Sequence, residues 1–443
     1  MDPRCHPMKL LFLPTYFSPE KAASIYIADN RYEAFAKAGF DMLAYAPYPS
    51  RGLSKEEQLR FASIPEETLY GGKMMLKRFR LSAEGKNPIK RVFRYFVQNV
   101  KQYRWAKRNA GDADLVFVAS TPPLHGFMAG RLRNKMGIRF VYNVQDIFPD
   151  SLVGTGLARR NGLIWRIGNA VESITYRNAD KIIVISEDFK KNIMAKGVPE
   201  EKIVVIYNWV DEDAVKEVPR SENKLFDKYN LDRGKFYITY SGNIGLTQNM
   251  DMLLEVMEEL KTEAPDIQLV LIGEGAYKEQ VVKKIAGQAG NDEKGKGNDE
   301  KGKGNDGIIR GTALPNVMML PFQPYEDISH VFSLGDAGLV ISKPGVGANS
   351  VPSKTWSIMS ASRPVLANFD ENELKDIVTT HHCGIFTKAG DKEAFKASVL
   401  ELYHNSELCK EYGRNGRQFV MENLTKEVGT QKYVDVIKSF EKQ

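Results

Sequence analysis

Cysteine is scarce: Cys5, Cys383 and Cys409 are the only three in 443 residues. They are odd in number, far apart and without CxxC spacing. That excludes a disulfide framework and a zinc site and fits a reducing compartment. No apolar run approaches the roughly 20 residues that span a bilayer, and residues 1–7 hold no apolar stretch of the signal-peptide kind. Met8 is a second candidate start, since the run Leu10–Leu13 behind it reads as a buried strand. A large charge of one sign is missing too, with 62 Lys and Arg against 56 Asp and Glu. The GxSxG elbow, the phosphate-binding P-loop and a catalytic-cysteine context are all absent. These absences leave a chain that is neither secreted nor integral, expected in the cytoplasm, and able to lie on a membrane surface.

What remains is ordinary globular composition, 42% hydrophobic and 27% charged, at a length that exceeds one hydrophobic core and predicts two domains. The first half alternates strand and helix. Strands are expected at Met8–Thr15, Met42–Ala46, Leu115–Ser120, Arg139–Val144, Lys181–Ser186 and Lys202–Tyr207, with a helix over Ile25–Ala38 that stops at Gly39. Around Asp211–Gly234 the apolar periodicity fades, which reads as a linker. The alternation then resumes with strands at Phe236–Ser241, Gln268–Gly273, Val317–Leu320, Gly338–Ser342 and Val365–Asn368, and a helix over Met250–Leu260 with Asn249 as its cap. Such alternation implies parallel sheets covered on both faces. The expected boundaries are 8–211 for the first domain, 212–234 for the linker, 235–425 for the second domain, and 426–443 for a C-terminal helix returning to the first. One segment breaks the rule. The heptapeptide NDEKGKG occupies 291–297 and again 298–304, and a third copy begins at 305–307. With no apolar position it reads as a disordered surface insert.

Three turns could carry chemistry. Ser241–Asn249 joins a strand to a helix through Gly242 and Gly245, where the backbone can approach a phosphate closely. Lys343–Lys354 follows a strand and precedes a helix, and combines Gly345, Gly347, Pro352 and two lysines. It could hold a diphosphate against backbone amides, with Lys343 or Lys354 as counter-charge. Asn143–Asp150 lies past the C-terminal end of a strand, where open α/β sheets bind ligands. Asp146 there could polarise a hydroxyl or cap a turn.

A fourth feature is a basic stretch. Residues 73–108 hold twelve Lys or Arg against the single acid Glu84. A helix starting at Asn87-Pro88 carries Lys90, Arg91, Phe93, Arg94, Phe96 and Lys101, a combination that fits an anionic membrane surface; no nucleic-acid motif accompanies it. Two DxD patterns, Asp112–Asp114 and Asp211–Asp213, and the pair His381-His382 sit in contexts that suggest no metal site.

Together these motifs resemble family 4 of the glycosyltransferases, from Met8 to about Phe440. The stretches that carry the resemblance are Tyr207-Asn208-Trp209-Val210-Asp211, Ser241-Gly242-Asn243-Ile244-Gly245, Leu271-Ile272-Gly273-Glu274-Gly275, Pro321-Phe322-Gln323, and Val351-Pro352-Ser353-Lys354 through Arg363-Pro364-Val365-Leu366-Ala367. Within the family the chain is most similar to the fucosamine-transferase-like branch of O-antigen and capsule assembly. The resemblance implies an α/β protein of the GT-B fold: two Rossmann-like, doubly wound parallel-sheet domains facing each other across a cleft. It implies a nucleotide-sugar donor, UDP-linked, in the second domain, bound by Gly242, Asn243, Gly245, Gln248, Gly273, Glu274, Phe322, Gln323, Lys343, Gly347, Asn349 and Ser353. It implies a polyprenyl-diphosphate-linked acceptor in the first domain, at the inner face of the plasma membrane, and retention of configuration. Asp146, Asn143 and Lys354 are the expected catalytic residues, with no metal or other cofactor. The chain departs from the family pattern where Asn349 and Ser357 replace a glutamate pair, Asn243 and Gln248 replace an Arg and a Lys, and Asn143 and Gln145 stand where a catalytic His is usual. Two alternatives keep the fold: a non-catalytic membrane-associated partner of another transferase, and a nucleotide-sugar 2-epimerase.

Overall fold

The computed structural model describes residues 7–20, 25–82, 88–150, 159–287, 307–347 and 351–441. It divides into two compact units, Met1–Asn208 with Glu427–Gln443, and Trp209–Lys426. The repeat insert, the expected cap Asn87 and the candidate Asn349 lie outside the described residues.

The first unit is built on β1 (Lys9–Phe12), β2 (Asp41–Pro47), β3 (Glu66–Leu69), β4 (Met74–Phe79), β5 (Leu115–Ala119), β6 (Arg139–Val144), β7 (Lys181–Val184) and β8 (Ile203–Val205), in the order β3-β4-β2-β1-β5-β6-β7-β8. All described pairings are parallel except β3 with β4. The central strands are apolar without alternation, as strands covered on both faces must be. Leu10 and Leu11 in β1 and Leu115 and Val116 in β5 have no exposed surface. The helix Ile25–Lys37 ends at Gly39, whose φ of +93° is a left-handed stop that suits glycine. The segment Glu427–Gln443 packs here: Phe117 and Tyr433 are in ring contact, and the Tyr433 hydroxyl donates to Asn143 Oδ1 at 3.1 Å.

Two elements correct the basic-stretch reading. Lys73, Lys77 and Arg78 lie in or beside β4, not on a membrane-facing helix. Each meets a carboxylate from elsewhere in the sheet: Asp41 at 2.9 Å, Glu66 at 2.9 Å and Glu67 at 2.8 Å. The helix Pro88–Asn109 is inverted relative to the usual pattern over much of its length. Arg94, Gln98 and Gln102 are buried and bonded to the carbonyls of Ser82, Pro14 and Tyr45, while Tyr103, Trp105 and Ala106 join the apolar core toward its C-terminal end. Val92, Phe93 and Phe96 instead stand 68%, 67% and 53% exposed. Arg94 is therefore removed from the surface set, and the exposed Lys101 spends its ammonium on the carbonyl of Arg80 at 2.7 Å.

The second unit holds β9 (Phe236–Ser241), β10 (Ile267–Ile272), β11 (Ile309–Arg310), β12 (Val317–Leu320), β13 (Ala337–Ile341), β14 (Val365–Phe369) and β15 (Gly384–Lys388), ordered β11-β12-β10-β9-β13-β14-β15. Only β11 is antiparallel among the described pairings. The segment 212–234, read as a linker from its charges, belongs to this unit. Leu225, Phe226, Tyr229 and Leu231 enter a core with Tyr237, Val270 and Leu320. The charges are paired rather than solvating a tether: Arg233 with Asp227 at 2.8 Å and Arg220 with Asp336 at 2.5 Å. Asn249 precedes the helix Met250–Glu263 as expected but makes no side-chain cap bond.

Both sheets reverse their winding once near the centre, between β1 and β5 in the first and between β9 and β13 in the second. The carboxyl ends of strands at such a reversal diverge and leave a crevice where ligands bind.

Candidate functional site

In the second unit the residues after β9, β10 and β13 converge. Gly242 takes φ +143° and donates its amide to Ile272 O at 2.9 Å, which ties the turn after β9 to the end of β10. Gly273 passes so close that a Cβ there would lie 1.8 Å from Gly242 O, so only glycine fits. The Ile244 amide donates to Glu274 O, and the Lys343 amide donates to Thr247 O at 2.8 Å, which draws in the turn after β13. Gln248 folds back to accept from the Gly245 amide at 2.9 Å, and the Asn243 amide group abuts Gly245.

Lys354 completes the cluster. It begins the short helix Lys354–Ser360, and its Nζ stands 3.7 Å from the centroid of the Tyr240 ring. A Cβ on Gly242 would lie 2.9 Å from that Nζ. Burial pulls the ammonium pKa down to about 7. Among the described residues Lys354 has no carboxylate partner, so the aromatic face is its main compensation. Lys343, half-buried, lies with its Nζ 5.7 Å from the Tyr277 ring centroid. Crowded glycines beside an uncompensated cation form a place where a diphosphate could lie against the backbone and supply the missing negative charge.

Several expected donor residues are placed otherwise. The amides of Gly345 and Gly347 both donate to the carboxylate of Asp370, at 2.9 and 2.7 Å, and Gly347 is buried against the Phe369 ring. Asp370 thus occupies the anion position that this turn offers, which corrects the reading of Gly345–Gly347 as a diphosphate cradle. Gln323 is buried and its side chain is consumed by Tyr229, Lys228 and Pro321 O, while its neighbour Phe322 is 74% exposed. The Glu274 carboxylate pairs with Lys278 at 2.6 Å, and Ser353 is exposed without a cap bond. The structure therefore brings together Gly242, Asn243, Gly245, Gln248, Gly273, Lys343 and Lys354. It turns the side chains of Glu274 and Gln323 to other partners.

In the first unit a cavity of about 360 Å³ opens at the carboxyl ends of β1 and β5. Asn143 and Gln145 line it. Asn143 Oδ1 accepts from Tyr433 and from Gln145 Nε2 at 3.1 Å, and Gln145 Oε1 accepts from Asn208 at 2.9 Å. Asp146 is exposed just beyond β6 and donates its amide to Ser120 Oγ at 3.1 Å, but is not among the cavity-lining residues. The two DxD patterns serve locally: Asp112 pairs with Lys9 at 2.5 Å, Asp114 accepts from the Lys9 amide at 2.7 Å, and Asp211 accepts from the Ala214 amide at 2.9 Å. Among the described residues no group of three or more His, Cys, Asp or Glu side chains could hold a metal ion.

Residues 28–214 match the model of Glycosyltransferase Family 4, and residues 221–294 and 309–419 match that of Glycosyl transferases group 1. The chain is a glycosyltransferase with a family 4 domain followed by a group 1 domain. This glycosyltransferase is 23% identical to the probable glycosyltransferase WbjE of Pseudomonas aeruginosa over 79% of its own length and 80% of that protein's. It is 25% identical to the putative glycosyltransferase EpsD of Bacillus subtilis over 72% and 76%. Among solved structures, sucrose-phosphate synthase of Thermosynechococcus elongatus superimposes with a TM-score of 0.69 at 14% identity, covering 98% of this chain and 99% of that one. Anabaena HepE in complex with UDP gives 0.66 at 16%, covering 98% and 100%. These likenesses establish the GT-B fold of the transferase, two Rossmann-like units.

The residue that sequence reasoning passed over is Arg31, which lines the first unit's cavity from the helix Ile25–Lys37. Its only signal in the sequence is a cation on an otherwise apolar helical face, among Ile27, Tyr32 and Phe35.

Proposed function

We propose that this glycosyltransferase moves a sugar from a UDP-linked donor to a lipid-linked glycan acceptor in bacterial surface polysaccharide synthesis, with retention of configuration. The second unit holds the donor. The observation that carries this is the Lys354 ammonium against Gly242, with no carboxylate partner among the described residues and its charge depressed by burial. A leaving diphosphate gains charge as the bond to the anomeric carbon breaks, and a cation fixed in a poorly solvated site stabilises that charge far better than water does. The new bond forms from an acceptor hydroxyl held by the first unit, where Asp146 is the exposed carboxylate beside the sheet end that receives or orients its proton.

Support for the donor comes from HepE, solved with UDP and with UDP-glucose. Support for the pathway comes from the printed role of a relative, a putative colanic acid biosynthesis glycosyl transferase WcaI of Escherichia coli, 26% identical over 51% of this chain and 49% of that one. Among the described residues no helix is long and apolar enough to cross a membrane. The outward Val92, Phe93 and Phe96, with Lys90 and Arg91 beside them, instead suit a peripheral seat on an anionic inner-leaflet surface.

The test is transfer of labelled sugar from a panel of UDP-sugars to bacterial membrane lipid by wild type and Lys354→Ala. The proposal predicts transfer from one UDP-sugar and a loss of about a hundredfold or more in the variant. Equal rates would remove Lys354 from the mechanism. UDP binding without transfer would favour the non-catalytic partner, and conversion of a free UDP-sugar would favour the epimerase.

A further inference from the structure

The cavity in the first unit contains a buried charge that no carboxylate among the described residues pairs with. Arg31 is only 6% exposed and lines the cavity. Its guanidinium carbon stands 4.6 Å from the Phe117 ring centroid and 5.1 Å from that of Tyr433, and its side chain is hydrogen-bonded to the neutral phenols of Tyr32 and Tyr433. Its Nε is buried without a hydrogen-bond partner, and no carboxylate among the described residues forms an ion pair with it. The acids nearby are spent elsewhere. Asp29 feels the Arg31 charge but hydrogen-bonds Tyr70 and Ser18. Glu20 accepts from the amides of Phe17, Ser50 and Arg51. A second cation, the exposed Arg51, lines the same cavity with its guanidinium 5.3 Å from the Tyr16 ring centroid.

Burying a guanidinium costs more than aromatic faces return, unless a counter-charge arrives. An arginine held by neutral phenols, with its Nε unpartnered and no carboxylate paired to it, in a cavity at a sheet's switch point is arranged for a planar anion. We infer that this cavity takes the acceptor through an anionic oxygen group, phosphate or carboxylate, held by Arg31 with Arg51 at the rim. The inference rests on the acceptor role given above to the first unit. Two sources supply this chemistry: the diphosphate of a lipid carrier and the carboxylate of an acidic sugar.

The experiment is calorimetric titration of the full chain, saturated with UDP so that the donor site is filled, with farnesyl diphosphate, inorganic pyrophosphate, glucuronate and, as neutral control, glucose. At least one anion is expected to bind while glucose does not. Binding of the diphosphates points to the lipid carrier, and binding of glucuronate to an acidic sugar. Arg31→Gln is expected to weaken that anion by about tenfold to a hundredfold, and Arg51→Gln by severalfold, with UDP affinity unchanged. Should Arg31→Gln fail to fold by circular dichroism, Arg31→Lys, which keeps the charge but loses the fork, and Arg51→Gln decide the matter. The inference is overturned if no anion binds, or if Arg31→Lys and Arg51→Gln both bind as wild type. If UDP itself does not bind, the donor reading falls. The same titration on Lys354→Ala without nucleotide then still reads the Arg31 cavity.

Discussion

At the residue scale the proposed chemistry turns on Lys354. Its ammonium has an ordinary pKa of 10.5 and is pulled down to about 7 by burial. Between these values the unfolded chain binds more protons than the folded one. The group's contribution therefore opposes folding below about pH 7, and that opposition fades as pH rises toward 10.5. A bound diphosphate restores the charge. Binding of UDP at pH 8 is thus expected to take up a proton, read as a heat that depends on the ionisation enthalpy of the buffer. Lys354→Met should abolish the uptake, and an uptake that persists in the variant would assign it to another group. Gly273 makes a steric prediction. Because its Cβ would fall 1.8 Å from Gly242 O, Gly273→Ala is expected to cost about 1–3 kcal/mol in denaturant unfolding and to weaken UDP. The glycines and both lysines were legible in the sequence because strand–glycine–helix spacing is local. Asp370 was not, since it reaches Gly347 from 23 residues away. Arg31 was hidden because a lone cation on a helix reads as solvated until the opposing Phe117 and Tyr433 are known.

The helix Pro88–Asn109 carries the lesson of the element scale. Its apolar periodicity was plain, but periodicity says only that two faces differ, not which one faces the core. Here part of the buried face is polar because the carbonyls of Pro14 and Tyr45 need donors, which Gln98 and Gln102 supply. Gln102→Leu should therefore lose about 1–3 kcal/mol of stability by stranding those carbonyls and His125 Nε2, which sits 3.0 Å from Gln102 Oε1. Phe93→Ser should leave thermal unfolding within about 0.5 kcal/mol of wild type. The opposite ranking would mean that the helix is packed the other way round. Strands showed a similar divide. Apolar β1, β5, β6, β9, β10 and β13 were readable as runs, whereas β3 and β4 were missed. The sequence of β3, EETL, looks like surface, and it holds as an edge strand through cross-strand pairs with Lys77 and Arg78.

Across the whole molecule, two sheets with the same reversal near their centres place two different kinds of site. The second unit presents backbone and a half-buried lysine, and the first presents a cavity with a buried arginine. The segment Glu427–Gln443 sets Tyr433 against Arg31 and Asn143, two residues of the first unit's cavity lining, so the last helix is structural for a site far from it in sequence. Truncation after Lys426 is expected to raise amide hydrogen exchange in Leu10–Phe12 and Leu115–Ala119 while leaving Phe236–Ser241 protected. Equal loss of protection in both units would show that the last helix stabilises more than the first.

The most direct test is a crystal structure of the chain with UDP. The account predicts the diphosphate against the backbone of Gly242 and Gly273, with a phosphate oxygen in hydrogen-bond range of Lys354 Nζ and the Gly347 amide still on Asp370. A nucleotide seated elsewhere, with Lys354 still turned to Tyr240 alone, would contradict it.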